Sequence, residues 1–209
     1  MSISICFLSG CNQEPTTKSI THKQDYVGEF SIFTHPGSKD VLPLLFNLGH
    51  SYLSFTNTSD KIIYLAGYKC EPNETVCIGT WSISKHFGVW YNVESNYDIY
   101  DNHYDGRLSL TKKINLQDVE KFTEFINKNN TWNPLKNCSY FALNCWNYIV
   151  DDCEKLEKPL IYTPKHLANE IKQFETYETN RPYVTKDNFG FFAEDVYVAY
   201  TMQGEKEYA

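Results

Sequence analysis

No stretch of this chain approaches the roughly 18 consecutive apolar residues that a membrane-spanning helix needs. Basic clusters are missing as well: the net charge is −7, and no run of five or more Lys or Arg residues occurs against it. Affinity for a phosphate backbone comes from clustered Lys and Arg, so nucleic acid is not an expected partner. The seven cysteines form no Cys-x-x-Cys pair, and neither His103 nor His166 has metal-ligand spacing around it, so no metal site is expected. The chain carries neither a Gly-rich phosphate loop nor a Gly-x-Ser-x-Gly elbow, and no cofactor is expected.

What is present suffices for one core. With 209 residues, 42% hydrophobic and 16% aromatic, the chain is long enough to bury a single sizeable interior. Residues 1–25 read as a leader and tether, and 26–209 as one domain with no Pro/Gly/Ser-rich linker, charge block or internal repeat. Leu8-Ser9-Gly10-Cys11 resembles the bacterial lipoprotein signal-peptidase box, where cleavage precedes a cysteine that is then lipidated. A lipid on Cys11 implies membrane anchoring at the bacterial cell envelope. No Lys or Arg precedes the short apolar stretch, so either the start is placed too late or the match is chance and the protein is cytoplasmic. Cys70 and Cys77 flank a turn-rich stretch and are the best disulfide candidates in an exported protein. Cys145 and Cys153, if both lie on one helix, stand ~12 Å apart, beyond the ~7 Å that a disulfide spans between Cα atoms.

Periodicity divides the domain. Residues 51–55 alternate with period two, 56–60 carry turn chemistry and 61–65 resume the alternation, which predicts a hairpin. Further strands are predicted at 75–81, 89–94 and 107–110. Asn115 then caps a helical stripe of Leu116, Val119, Phe122, Phe125 and Ile126. A second helix begins near Asn137 or Cys138. Thr163-Pro164 announces a third, with Leu167, Ala168, Ile171 and Phe174 inward. Residues 195–200 alternate again and predict an edge strand. The sum is an α+β domain, an antiparallel sheet with helices packed against it.

Two residues carry candidate chemistry. Cys138, Phe141, Ala142, Cys145, Trp146 and Ile149 share one helical face, with Cys138 at its N-terminal end. There the free N–H groups and the positive end of the helix dipole favour a thiolate. Cys145, in mid-stripe, gains nothing from the dipole and reads as packing. His50 follows Gly49 and opens the first strand of the hairpin, placed to reach over the sheet edge towards a helix start. Cys138 is therefore the candidate nucleophile and His50 the candidate base.

G-H-S-Y-L-S-F at 49–55 and N-C-S-Y-F-A-L-N-C-W-N at 137–147 resemble the histidine and cysteine motifs of the NlpC/P60 superfamily, which has a papain-like fold. Standard members carry the cysteine first. The order here resembles the circularly permuted branch, which includes YaeF/YiiX-like and lecithin:retinol acyltransferase-like proteins. Segments 76–81, 88–94 and 163–171 extend the resemblance over residues 26–175. It implies a permuted papain-like topology and a cysteine peptidase or amidase acting on a peptide or acyl substrate, with peptidoglycan peptides the first expectation. His50 would take the Cys138 proton, and the thiolate would attack a carbonyl to give a thioester. Acyl transfer or thioester hydrolysis on lipids is an alternative, as is a non-catalytic binding module that keeps the fold.

Family members orient the histidine with a polar group on the neighbouring strand. The predicted hairpin sets Ala66 or Gly67 opposite His50, and neither serves. Glu94, on a later strand, is the favoured substitute, with Asn92 and His86 as alternatives. Trp81, Trp90, Tyr91, Tyr97, Tyr100 and Tyr104 either line a groove or pack the sheet.

Overall fold

A computed structural model of the protein describes residues 25–37, 49–83, 85–101, 104–182 and 188–200. Cys6 and Cys11, with the rest of the leader before residue 25, and His103 lie outside them.

The strands are β1 (Gly28–His35), β2 (His50–Asn57), β3 (Ile63–Leu65), β4 (Tyr68–Cys70), β5 (Thr75–Ile83), β6 (His86–Tyr91), β7 (Leu108–Ile114), β8 (Glu178–Thr179), β9 (Phe189–Ala193) and β10 (Val196–Tyr200). The helices are α1 (Val93–Asp101), α2 (Leu116–Asn129), α3 (Cys138–Ile149) and α4 (Pro164–Ile171). Eight strands form one antiparallel sheet in the order β10-β9-β6-β5-β2-β1-β7-β8, and β3 and β4 pair separately. The fold is α+β.

Alternation along the central strands builds two layers. Phe30, Ile32, Leu53, Phe55, Val76, Ile78 and Tyr91 join the apolar stripes of α2, α3 and α4 in the main core. Trp146 stacks on Phe30 with ring centroids 5.7 Å apart, and burial of each such side chain contributes roughly 1.5–3 kcal/mol. Phe33, Tyr52 and Cys77 point the other way, into a smaller cluster with Tyr97 of α1 and Tyr104. The three expected helices start where their caps place them. Asn115 forms a capping box with Asp118, Asn137 accepts from the Tyr140 N–H, and Thr163 accepts from the His166 N–H ahead of α4. Leu116, expected in the buried stripe, is instead exposed at the start of α2. The expected edge strand at 195–200 is β10.

The predicted hairpin of 51–55 with 61–65 does not form. β2 lies between β1 and β5, and β3 pairs with β4. Asn57 sets the change of course: its Oδ1 accepts from the Ser59 N–H, while its Nδ2 donates to the carbonyls of Lys61 and Cys70. This turn carries 61–70 away from the sheet, and the Asn57 N–H donates instead to the Glu74 carbonyl at the start of β5. The strand expected at 89–94 also ends early. Asn92 adopts φ +62°, the chain reverses, and Val93 opens α1.

Cys70 and Cys77 are free thiols. Cys70 packs in the main core and Cys77 in the smaller cluster, on opposite faces of the sheet. Cys145 and Cys153 are also free, but they do not share a helix, since α3 ends at Ile149 and Cys153 lies in the short turn Asp152–Glu154.

Candidate active site

Cys138 and His50 meet at the end of the sheet. His50 is the first residue of β2 and Cys138 the first of α3. β2 pairs with β5 only from Leu53 onward, although β5 continues to Ile83. In the gap the His50 ring and the Ser51 N–H act on the Cys138 thiol and help to hold it below its ordinary value. His50 is 8% exposed and Cys138 is half-buried.

The carboxyl group beside His50 is that of Glu94. Its Oε1 accepts from His50 Nε2 at 2.9 Å, which leaves Nδ1 as the ring nitrogen for Cys138. Glu94 stands in the first turn of α1, not on a strand, and it is completely buried rather than exposed at a strand end. Two residues of β5 make room for it and hold it. A Cβ on Gly79 would lie 2.0 Å from Glu94 Oε1, so only glycine leaves space for the carboxyl group. Trp81 Nε1 donates to the same oxygen at 2.8 Å, and its ring lies 4.2 Å from the His50 ring, covering the His–Glu bond. Glu94 Oε2 is buried with no hydrogen-bond partner among the described residues.

The other two candidates for the third place do different work. Asn92 closes the turn into α1: its Oδ1 accepts from the Cys77 N–H and its Nδ2 donates to the Asn188 carbonyl. His86 bonds Asn130 Oδ1 at 3.0 Å and stacks on Phe191. Among the aromatics, Trp90, Tyr91 and Tyr104 are buried packing, Trp81 keeps partial exposure beside His50 with partly exposed Tyr97 against it, and the Tyr100 side chain lies outside the described residues. His166 Nε2 lies 3.3 Å from the Glu157 carbonyl, and among the described residues no three His, Cys, Asp or Glu side chains gather as a metal site.

The electrostatics favour a charged pair. Burial alone would push the His50 imidazole down, but the Cys138 charge, its hydrogen bond and Glu94 outweigh it and raise the ring from 6.5 to about 9. For Cys138, burial works against the thiolate. The His50 charge and hydrogen bond, the Ser51 N–H and the Ser139 hydroxyl together overcome it and hold the thiol below its ordinary 9.0. Burial without such partners pushes Cys145 well above that value.

Gly79 escaped the sequence reading, and Trp81 was read only as groove lining or sheet packing. The available signal was Gly-Thr-Trp at 79–81, a glycine inside a strand two positions before a tryptophan, where glycine often marks a close approach. Comparisons of the chain with family models, with curated proteins and with solved structures find no match. The functional argument therefore stands on the site.

Proposed function

We propose that this protein is a cysteine hydrolase of amide bonds, with Cys138 as nucleophile and His50 as base and then acid. One observation carries the reading: a thiol at a helix start is held below its ordinary value by a histidine whose Nε2 lies 2.9 Å from a buried carboxyl oxygen. With Nε2 engaged by the Glu94 carboxylate, Nδ1 is the ring nitrogen left to take the Cys138 proton. The thiolate attacks the carbonyl carbon, and the Cys138 N–H, an amide with no partner inside α3, is placed to receive the developing oxyanion. His50 returns the proton to the leaving amine, and water then resolves the thioester. The resemblance to permuted NlpC/P60 proteins supports a papain-like topology, peptidoglycan peptides as substrate and, through the Cys11 box, a place at the cell envelope.

A second reading is acyl transfer from a lipid ester. Asn137 Nδ2, next to Cys138, donates to the Tyr162 carbonyl at 2.9 Å, and the adjoining loops present exposed Leu135, Leu160 and Ile161. Incubation with muropeptides and with acyl esters, followed by mass spectrometry of the Cys138 peptide, separates the two by which one leaves an acyl adduct. No turnover and no adduct with either substrate, together with a Cys138 thiol that titrates like free cysteine and ignores His50→Ala, would remove the catalytic reading.

A further inference from the structure

Behind the nucleophile runs a line of buried hydroxyls that acid–base chemistry at His50 does not use. Ser139 Oγ lies 3.0 Å from Ser51 Oγ, Ser51 Oγ lies 2.9 Å from Thr34 Oγ1, and Thr34 Oγ1 donates to the Pro164 carbonyl at 3.1 Å. All three side chains are at most 2% exposed. The line crosses from α3 through β2 and β1 to the first turn of α4.

Each hydroxyl has one proton, which limits how the line is ordered. With Thr34 donating to Pro164 O, Ser51 must donate to Thr34 and Ser139 to Ser51. No hydroxyl proton then remains for the sulfur. The opposite order has Thr34 donating to Ser51, Ser51 to Ser139, and Ser139 to the Cys138 sulfur. Pro164 O loses little, because a first-turn carbonyl keeps its place in the helix ladder. The first order suits a neutral thiol or a thioester, and the second suits a thiolate.

We infer that Thr34, Ser51 and Ser139 form a reversible hydroxyl chain that turns towards Cys138 when the thiolate forms and away when the sulfur is acylated. No proton changes its oxygen. Each O–H rotates, while the thiol proton itself passes to His50 Nδ1. These are positioning residues, and the inference rests on the nucleophile proposed above. Ser139 as a donor to Cys138 agrees with its contribution to holding that thiol low.

Charged groups around the site do not duplicate the chain's effect. His50 faces the sulfur directly, with Glu94 of α1 behind it, and His35 of β1 lies opposite His50. On the elements packed against α3, His166 lies against the Glu157 carbonyl, Glu170 accepts from the Glu157 N–H, and Lys165 is exposed. On α2, Lys121 pairs with Asp118 and Lys128 with Glu124, while Glu120 is exposed. Glu29 of β1 pairs with Arg181.

The test is the pH dependence of Cys138 carboxamidomethylation by iodoacetamide, read on its peptide by mass spectrometry in the full chain. Ser139→Ala removes the donor and should raise the midpoint by roughly one pH unit, about a tenfold loss of thiolate below it. Thr34→Val is close in shape but leaves Ser51 no acceptor except Ser139, so it should lower the midpoint by about half a unit. Thr34→Ser should hold the wild-type value. In Thr34→Val/Ser139→Ala the downward shift should vanish, because the chain is cut nearer the sulfur. Shifts of the same sign in the two single variants, a Thr34→Val effect that survives in the double variant, or Thr34→Ser behaving like Thr34→Val would overturn the chain. A wild-type midpoint equal to that of free cysteine would instead sink the nucleophile itself.

Discussion

Cys138 and Cys145 sit on the same face of the same helix, yet the protein treats them oppositely. Cys138 at the first position of α3 is held below its ordinary value by His50, Ser51 and Ser139, while Cys145 in mid-helix is pushed far above it by burial. Thiolate chemistry is therefore a property of the place and not of the residue. What separates the two positions is the ring of donors that the end of the sheet brings to the start of α3.

The sharpest way to break this comparison is to remove each thiol in turn. Cys138→Ala should abolish amide hydrolysis, a loss on the order of 10⁶-fold in turnover. Cys145→Ala should leave turnover unchanged and lower stability by roughly 1 kcal/mol in a urea titration. Unchanged turnover in the first variant would end the contrast. His50→Ala should slow hydrolysis by about 10²–10⁴-fold and return the Cys138 alkylation midpoint towards the ordinary thiol value.

Glu94→Gln weakens the hold on the ring and should slow turnover by about 10–10²-fold, since it loses a charge-assisted hydrogen bond. Gly79→Ala reaches the same contact from β5 and should mimic it, because its methyl group meets Glu94 Oε1. Normal turnover in Gly79→Ala would argue that Glu94 is not needed where it stands. The pH profile sharpens the comparison further. Activity should rise as the Cys138–His50 pair gives up the thiol proton and fall as it gives up the second, giving a bell whose two limbs belong to the pair. The smallest effect is on His50 itself. In Cys138→Ala the thiolate no longer opposes burial, so the imidazole midpoint, followed by NMR, should drop from about 9.

The two halves of the site were unequally legible. Cys138 was readable because a cap, a helical stripe and a cysteine at the stripe's start are all local, and the Asn137 cap is present. His50 was readable as Gly-His before a strand. Glu94 was visible only as a residue type, since its burial depends on the Asn92 turn and on the absence of a side chain at Gly79. β1 offers Phe30 and Ile32 on one face and Phe33 on the other but was not read as a strand, and the Asn57 turn that redirects 61–70 uses an acceptor at Cys70, far from the turn itself.

Local sequence alone determined the starts and apolar faces of α2, α3 and α4, the α+β class and which cysteine lies at a helix end, because caps and periodicity act within a few residues. Tertiary structure decided the rest: which strands pair with β2, which carboxyl group holds His50, and which hydroxyls back the sulfur. Those contacts join residues from β1, β2, β5, α1 and α3, and only the packed sheet brings them within the ~3 Å at which hydrogen bonds act.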